Sequence, residues 1–399
     1  MNIATSTFRR VDQSALDWLG TDPIPAKPYH DPDFFELERA AVFMRSWIVI
    51  GHVCELPDAG SFIRRDLEFA NASLLIVRDR KQEIRAFYNV CTHRGTQLVR
   101  EAQGQRSAFT CPYHMWTFGT DGALLSAPDF EAFHVKKQDC SLPTVRVEVI
   151  AGLIFVNFDE KAEPLRQELG DFFPQLEATP LGQATTFLEY SYEIESNWKL
   201  CYDNFQENYH LRFIHPRTGY AGVGAENPFG YPIDYHFNGP HRGQKIWYNL
   251  QAPSKGVVQQ TAAERALDIL GKKGLLGQPA GDQYFALFPN SFILGNPLQN
   301  FLHVVYPISA GRSRGVIRLF WVGEPENASE AFSREFYLTM LREVHGEDIN
   351  VIEGGYRGLA SGALKHIHFQ TQEVLCRHLH NMVMEKVGEY QRRIAENGQ

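Results

Sequence analysis

The chain has 399 residues, 44% hydrophobic and 22% charged, which is ordinary globular composition and length enough for two domains or one large domain carrying an insertion. Its formal net charge of −8 offers no electrostatic case for nucleic acid or an anionic membrane surface. No stretch nears the ~18 consecutive apolar residues of a membrane span, and no apolar run follows the N-terminal arginines, so no secretory signal is expected. The cysteines at 54, 91, 111, 140, 201 and 376 are scattered, and those not claimed by a metal site read as reduced thiols in a cytoplasmic protein.

In chain order, residues 33–47 place apolar side chains at helical spacing and predict a first helix. From 47 to 157 the character changes to short β-rich runs at 47–50, 73–77, 85–90 and 153–157, separated by turn residues at 58–60 and 120–122. Strands this short and dense predict a small antiparallel sandwich or barrel. Two of its turn regions carry Cys91-Thr92-His93 and Cys111-Pro112-Tyr113-His114, each offering one thiolate and one imidazole. A structural zinc site usually takes Cys-Cys and His-His pairs. A Rieske [2Fe–2S] cluster instead needs two sulfurs on one iron and two imidazoles on the other. Facing mixed loops meet that second requirement, with a zinc knuckle as the alternative. Gly95 and Pro112 fit tight loops whose backbone N–H groups can face the sulfurs.

A second unit begins after Phe158. Residues 185–192 read as a strand leading into a helix from about 198 to 215. The stretch 216–280 is rich in Gly, Pro and Asn and reads as long loops with one helical piece near 262–271. Strands are predicted at 284–292, 301–306 and 315–322, and helices at about 328–345, 347–361 and 367–396. Strands flanked by helices without regular βαβ alternation point to α+β. The expected division is 46–158 as one domain, with 1–45 and 159–399 as the other.

The run from Asn197 to Pro216 is the other chemically rich passage. On a helix, Asp203, Glu207 and His210 at i, i+4 and i+7 share one stripe, and polar groups in so aromatic a helix require partners. His215 lies five residues past His210, about 140° around a straight helix. Both imidazoles reach one ion only if the helix ends or distorts before His215, and Pro216 supplies that ending. Two histidines and a carboxylate on one face of Fe(II) leave positions for O2 and substrate.

Cys91–His93 followed by Arg94-Gly95, and Cys111–His114 followed by Trp116, resemble the Rieske motif of ring-hydroxylating oxygenases. Glu207-x-x-His210-x-x-x-x-His215 after Asn197-Trp198-Lys199 resembles the mononuclear iron motif of the same family, the alpha (terminal oxygenase) subunits of Rieske non-haem iron oxygenases. The likeness runs through most of the chain and is weak in 217–280. It implies that Cys91, His93, Cys111 and His114 hold a [2Fe–2S] cluster and that His210 and His215 bind Fe(II). The third ligand would come from a late helix: Asp348 is chosen, with Glu347 the nearest competitor (otherwise a helix cap) and Asp203 a further alternative. Glu353 reads as a surface or hydrogen-bonding residue.

The resemblance further implies a small antiparallel β Rieske domain and a larger helix-grip catalytic domain with an antiparallel sheet and flanking helices. Electrons would come from NAD(P)H through a partner reductase, with or without a ferredoxin. They would cross a subunit boundary from His114 through Glu207 to His210 in a ring-like homotrimer, with or without a beta subunit. The chain has no Gly-x-Gly-x-x-Gly fingerprint after a strand, so no Rossmann site for NADH is expected. Phe205, Tyr220, Trp247, Phe285, Phe288 and Phe292 are candidate pocket walls and favour hydroxylation of a small aromatic substrate. The same rings could cage a quaternary ammonium or methylated amine for oxidative N-demethylation or C–N cleavage. Glu207, where many ring-hydroxylating members carry Asp, leans toward that alternative.

Overall fold

The computed structural model describes residues 10–216, 222–247, 283–295 and 300–397. Residues 43–168 form one compact unit, and 1–42 with 169–399 form another. Among the described residues no helix is long and apolar enough to cross a membrane.

The first unit is built from short strands, as its turn density requires: β1 (Ile48–His52), β2 (Ser61–Leu67), β3 (Ala72–Arg78), β4 (Ile84–Tyr88), β5 (Gln103–Gln105), β6 (Ala108–Thr110), β7 (Thr117–Gly119), β8 (Leu124–Ser126), β9 (Arg146–Ile150) and β10 (Leu153–Asn157). They form antiparallel sheets in the orders β9-β10-β1, β4-β3-β2-β5 and β6-β7-β8. Strands β1 and β10 are buried on both faces, which explains their unbroken Ile/Val character. Phe62, Leu75, Val77, Phe87, Phe109 and Phe118 pack into one core with Cys91, Cys111 and Trp116. Each large apolar side chain so buried contributes roughly 1.5–3 kcal/mol.

The second unit centres on a seven-stranded antiparallel sheet. Its strands are β11 (Thr186–Ile194), β12 (Asp234–Asn238), β13 (His241–Lys245), β14 (Gln283–Leu287), β15 (Ser291–Gly295), β16 (Asn300–Ser309) and β17 (Arg312–Trp321), in the order β11-β17-β16-β15-β14-β13-β12. Helices α1 (Pro32–Glu38), α2 (Trp198–Asp203), α3 (Leu211–Ile214), α4 (Ala328–Ala360) and α5 (Val374–Asn397) accompany it, so the unit is α+β. Gly315 is required where it stands, because a Cβ there would lie 2.0 Å from the Tyr192 ring of the neighbouring strand.

Several elements differ from the sequence-based expectation. The strand expected over 284–292 is the hairpin β14–β15, turning at Phe288–Asn290, where Pro289 has no N–H for a ladder bond. Strands β12 and β13 occupy a stretch read as loop; their polar residues Arg242 and Gln244 are buried by partners that lie far off in sequence. The helical piece expected near 262–271 lies outside the described residues. The two helices expected on either side of residue 346 are one, α4, capped by Asn327, whose side chain accepts from the Glu330 N–H at 3.1 Å. Gly346 costs such a helix about 1 kcal/mol, but the buried stripe His345, Asp348, Ile352 and Leu359 holds it continuous. The helix expected to begin near 367 begins at Val374, and His366–Ile367 instead pairs with Ile24–Pro25 as a short antiparallel strand.

The single helix expected over 198–215 is two short ones, α2 and α3, joined by a turn at 204–210. Side chains compete with the helical ladder there. The Glu207 carboxylate folds back to accept from the backbone N–H groups of Tyr209 and His210. Asn208 donates to the Gly230 carbonyl at 3.0 Å. Asp203, Glu207 and His210 therefore do not share a helical stripe.

Candidate metal centres

The first candidate lies in the β unit. Its two loops close the same way: Gly95 N–H donates to the Cys91 carbonyl at 2.9 Å, and Met115 N–H donates to the Cys111 carbonyl at 3.1 Å. Gly95 (φ 79°) takes the left-handed conformation that glycine adopts without steric cost. Cys91 and Cys111 are 2% and 1% exposed, and their sulfurs lie within hydrogen-bond reach of each other. Burial pushes the Cys91 thiol up, against the opposing pull of the His93 and Arg94 backbone N–H groups that face it. The His93 and His114 rings meet edge to face with centroids 4.5 Å apart. Trp116 stacks on His93 at 5.0 Å, and Phe133 closes the other side at 5.5 Å.

The loops are braced from below by a residue the sequence reading missed. Buried Asn89 accepts from the N–H groups of Leu98 (3.1 Å) and Val99 (3.0 Å) and donates to the Val99 carbonyl (2.7 Å), closing the base of the Cys91 loop. Two free thiols and two imidazoles converge, and His93 Nδ1 is buried without a hydrogen-bond partner among the described residues. An orphaned imidazole nitrogen beside two buried thiols fits a cluster and would be costly without one. Burial, then the neighbouring His114 and Arg94, lower the His93 pKa and favour the neutral ligand form.

The second candidate is assembled in the other unit from His210, His215 and Asp348, whose ligand atoms all lie within 4.8 Å of one another. His210 sits in the turn before α3. His215 follows α3 with φ −111° and ψ 48°, outside helical space, as its position before Pro216 requires. Asp348 projects from α4, 2% exposed, its Oδ1 lying 2.9 Å from His215 Nε2 and 3.7 Å from His210 Nε2. Despite the short approach, Asp348 Oδ1 has no partner of acceptable hydrogen-bond geometry among the described residues. Two Nε2 atoms and one carboxylate oxygen thus aim at a common point, which is the arrangement a metal ion fills.

Each imidazole is oriented by a second carboxylate. Glu207 pairs with His210 Nδ1, and Glu347 pairs with His215 Nδ1 at 2.7 Å. A carboxylate on Nδ1 fixes the tautomer with Nε2 free to ligate and raises its basicity. Glu347 lies within α4, so it is neither a helix cap nor part of the convergent set; its role in holding His215 was missed because the pairing spans 132 residues. Burial alone would lower the His215 pKa, but Asp348 and Glu347 together raise it. Asp203 is apart from the set: it accepts from Tyr29 Oη and Gln206 Nε2, each at 3.0 Å. Glu353 accepts from the Glu195 N–H at 3.2 Å, a hydrogen-bonding role as expected.

The aromatic candidates separate. Phe205 packs on His303 with centroids 4.3 Å apart and on Phe292 at 6.0 Å. Phe285 and Phe288 are core residues at 0% and 2% exposure, and Trp247 is half-buried. Tyr220 lies outside the described residues. A cavity of about 220 Å³ opens on Glu207, Asp203 and Glu373, but none of His210, His215 and Asp348 lines it.

A Rieske-type donor set together with a His–His–carboxylate site is the equipment of a non-haem iron oxygenase that receives its electrons singly. Comparison with known families agrees: residues 181–389 match the ring hydroxylating alpha subunit (catalytic domain) and residues 46–145 match the Rieske [2Fe-2S] domain. The chain belongs to the alpha subunits of ring-hydroxylating Rieske oxygenases. It is an oxidoreductase that uses a [2Fe–2S] cluster, a mononuclear Fe(II) and O2, with electrons from NAD(P)H delivered through a reductase. Among its relatives is the carnitine monooxygenase oxygenase subunit of Acinetobacter pittii (strain PHEA-2), 28% identical and covering 84% of each chain. The fold is shared with a quaternary ammonium Rieske monooxygenase in complex with gamma-butyrobetaine, at TM-score 0.74 and 22% identity over 95% of this chain and 99% of that one. It is shared equally with naphthalene 1,2-dioxygenase from Rhodococcus sp. bound to indole, at TM-score 0.73 and 22% identity over 94% and 97%.

Proposed function

We propose that this subunit oxidises a quaternary ammonium or methylated-amine substrate, rather than the small aromatic that its phenylalanines first suggested. Cys91, His93, Cys111 and His114 would hold the cluster, and His210, His215 and Asp348 the Fe(II). When bound, the cluster supplies electrons one at a time and the ferrous ion supplies open positions for O2.

The charge balance around the second centre carries the reading. Asp348, Glu207 and Glu347 surround two imidazoles, and a fourth carboxyl, Glu373, lies within their field. Burial, then nearby Glu207, push the Glu373 carboxyl up to about 7. Three carboxyl groups set against the double charge of Fe(II) give the site an acidic surround. A cation gains from such a field, since a unit pair at ~4 Å is worth about 4 kcal/mol at an effective dielectric of 20. An apolar arene gains nothing from it. Relatives that span most of the chain are named for carnitine, itself a quaternary ammonium compound, which supports the same choice.

In this reading Glu207 and Glu347 hold the Nδ1 protons of His210 and His215, keeping both rings aimed while O2 and substrate exchange. Glu207 further serves as the contact for His114 of the partner subunit in a ring assembly. The test is NADH-coupled O2 uptake with a promiscuous reductase and a substrate panel. Aldehyde release from a methylated or quaternary amine is the expected outcome. A hydroxylated ring product, with no amine turned over, would return the reading to aromatic hydroxylation.

A further inference from the structure

Oxygen chemistry at iron carries a hazard: a centre that has taken up O2 and electrons but meets no substrate draws its missing electron from the protein around it. Beside the second centre stands a tyrosine suited to give that electron. Tyr192, on strand β11, is buried, its ring so close to Gly315 of the neighbouring strand that no Cβ fits between them. The same ring stands 3.9 Å from that of His345. His345 lies one turn before Asp348 on α4, so this ring pair joins Tyr192 to the helix that carries the convergent carboxylate. Asp348 itself is near enough for its charge to act on the Tyr192 hydroxyl.

Two contacts set Tyr192 apart from an ordinary core tyrosine. Its hydroxyl lies 2.7 Å from Nε2 of His303, a fully buried imidazole on β16. Burial, then His345, hold the His303 pKa well below its ordinary value, so the ring is neutral and Nε2 can accept from the phenol. Burial also pushes the Tyr192 phenol well above its ordinary value, so it keeps its proton until it is oxidised. The second contact is with Tyr190, whose ring stacks on that of Tyr192 with centroids 5.8 Å apart. Tyr190 lies two residues earlier on β11, so both rings stand on one face of the strand. It is half-buried, and the exposed Arg342 lies over its ring at 5.3 Å. The two tyrosines thus run from the interior beside Asp348 to the surface. Electron and proton transfer need only these contacts, not an open volume.

We propose that Tyr192 and Tyr190 form an exit for oxidising equivalents, protecting the second centre when O2 chemistry runs without substrate. Tyr192 gives one electron to the oxidised iron centre while its hydroxyl proton moves along the existing bond to His303 Nε2, leaving a neutral tyrosyl radical and an imidazolium. An oxidised phenol is so strong an acid that even a buried imidazole accepts its proton. Tyr190 then gives an electron to Tyr192, which recovers its proton from His303, and the Tyr190 proton passes to solvent. A small-molecule thiol returns a hydrogen atom to Tyr190 at the surface and ends as a disulfide. Only the thiol is consumed.

The experiment treats iron-loaded enzyme with hydrogen peroxide in the absence of substrate and follows it by freeze-quench EPR, with ring-deuterated tyrosine to assign the signal. The wild type is expected to give a tyrosyl radical whose spectrum narrows on deuteration and which a thiol removes. Tyr192→Phe is expected to lose that radical, to keep its iron content and Rieske spectrum, and to show oxidised His210 or His215 by peptide mass mapping. His303→Leu, which keeps both tyrosines but removes the proton acceptor, is expected to lose it too. Tyr190→Phe should retain the Tyr192 radical in a longer-lived, thiol-resistant form, which tests the route even if Tyr192→Phe fails to fold. No radical in the wild type, an equal radical in Tyr192→Phe, or a radical in Tyr190→Phe as short-lived as the wild type's overturns the exit.

Discussion

The two metal centres sit at opposite extremes of how a chain can encode a site. In the β unit, two tight loops each deliver one sulfur and one imidazole within a few residues, and both loops close on the same backbone bond from the fourth residue after cysteine to its carbonyl. In the other unit, two histidines come from a broken helix and the carboxylate that meets them from α4, where the adjacent Glu347 also reaches back 132 residues to His215. A local site needs only its loops to be well made. A distributed one needs the sheet, α4 and the interrupted 198–215 segment placed correctly at once, and it needs Glu207 and Glu347 to keep each ring aimed.

If the centres are separate constructions, removing one must spare the other. Asp348→Ala is expected to abolish O2-coupled turnover and remove about a third of the bound iron while leaving the red-brown Rieske absorption, whereas Cys111→Ser should bleach that absorption and retain the mononuclear ion. Iron analysis alongside visible and EPR spectra reads both, and a variant that empties both sites would show them to be one folding unit. Glu207→Gln comes next. Both metals should stay bound while most coupled turnover disappears, so unchanged steady-state rates would strip Glu207 of its part in the electron route.

Smaller effects probe the orienting carboxylates. Glu347→Gln replaces the acceptor on His215 Nδ1 and should weaken Fe(II) binding about 10- to 100-fold, with the Rieske spectrum untouched; a chelator competition series measures it. The smallest effect concerns pH. Burial, opposed by the Tyr29 hydrogen bond, raises the Asp203 carboxyl to about 7 from 3.8. A carboxyl whose folded pKa is raised contributes its full stability below the unfolded value and loses it as pH climbs to the folded one. Wild-type stability should therefore fall between about pH 4 and pH 7 by at most ~4 kcal/mol from this group, and Asp203→Asn should flatten that slope in chemical denaturation.

The short strands of 43–168, the α+β character and the tight shape of the two Cys/His loops were legible because each depends on neighbours within a few residues. The exit of the chain from helix before His215 was legible for the same reason, since Pro216 acts on the residue beside it. What escaped was set by partners far away. The interruption after Asp203 arises where Tyr29 and Gly230 capture polar side chains that a helix would leave exposed. Hairpin β12–β13 was unreadable because its buried arginine and glutamine mimic a loop.

By itself the amino-acid order determined which atoms could bind metal: thiols and imidazoles in register on two loops, and two histidines made to converge by a proline. Only the tertiary structure decided that Asp348 converges on His210 and His215 while Glu347 turns to His215 Nδ1, because adjacent residues on a helix point about 100° apart and only one of them can face the point where the two rings meet. It likewise decided that His345 would be buried, since no local pattern distinguishes a buried histidine from one on a solvated face.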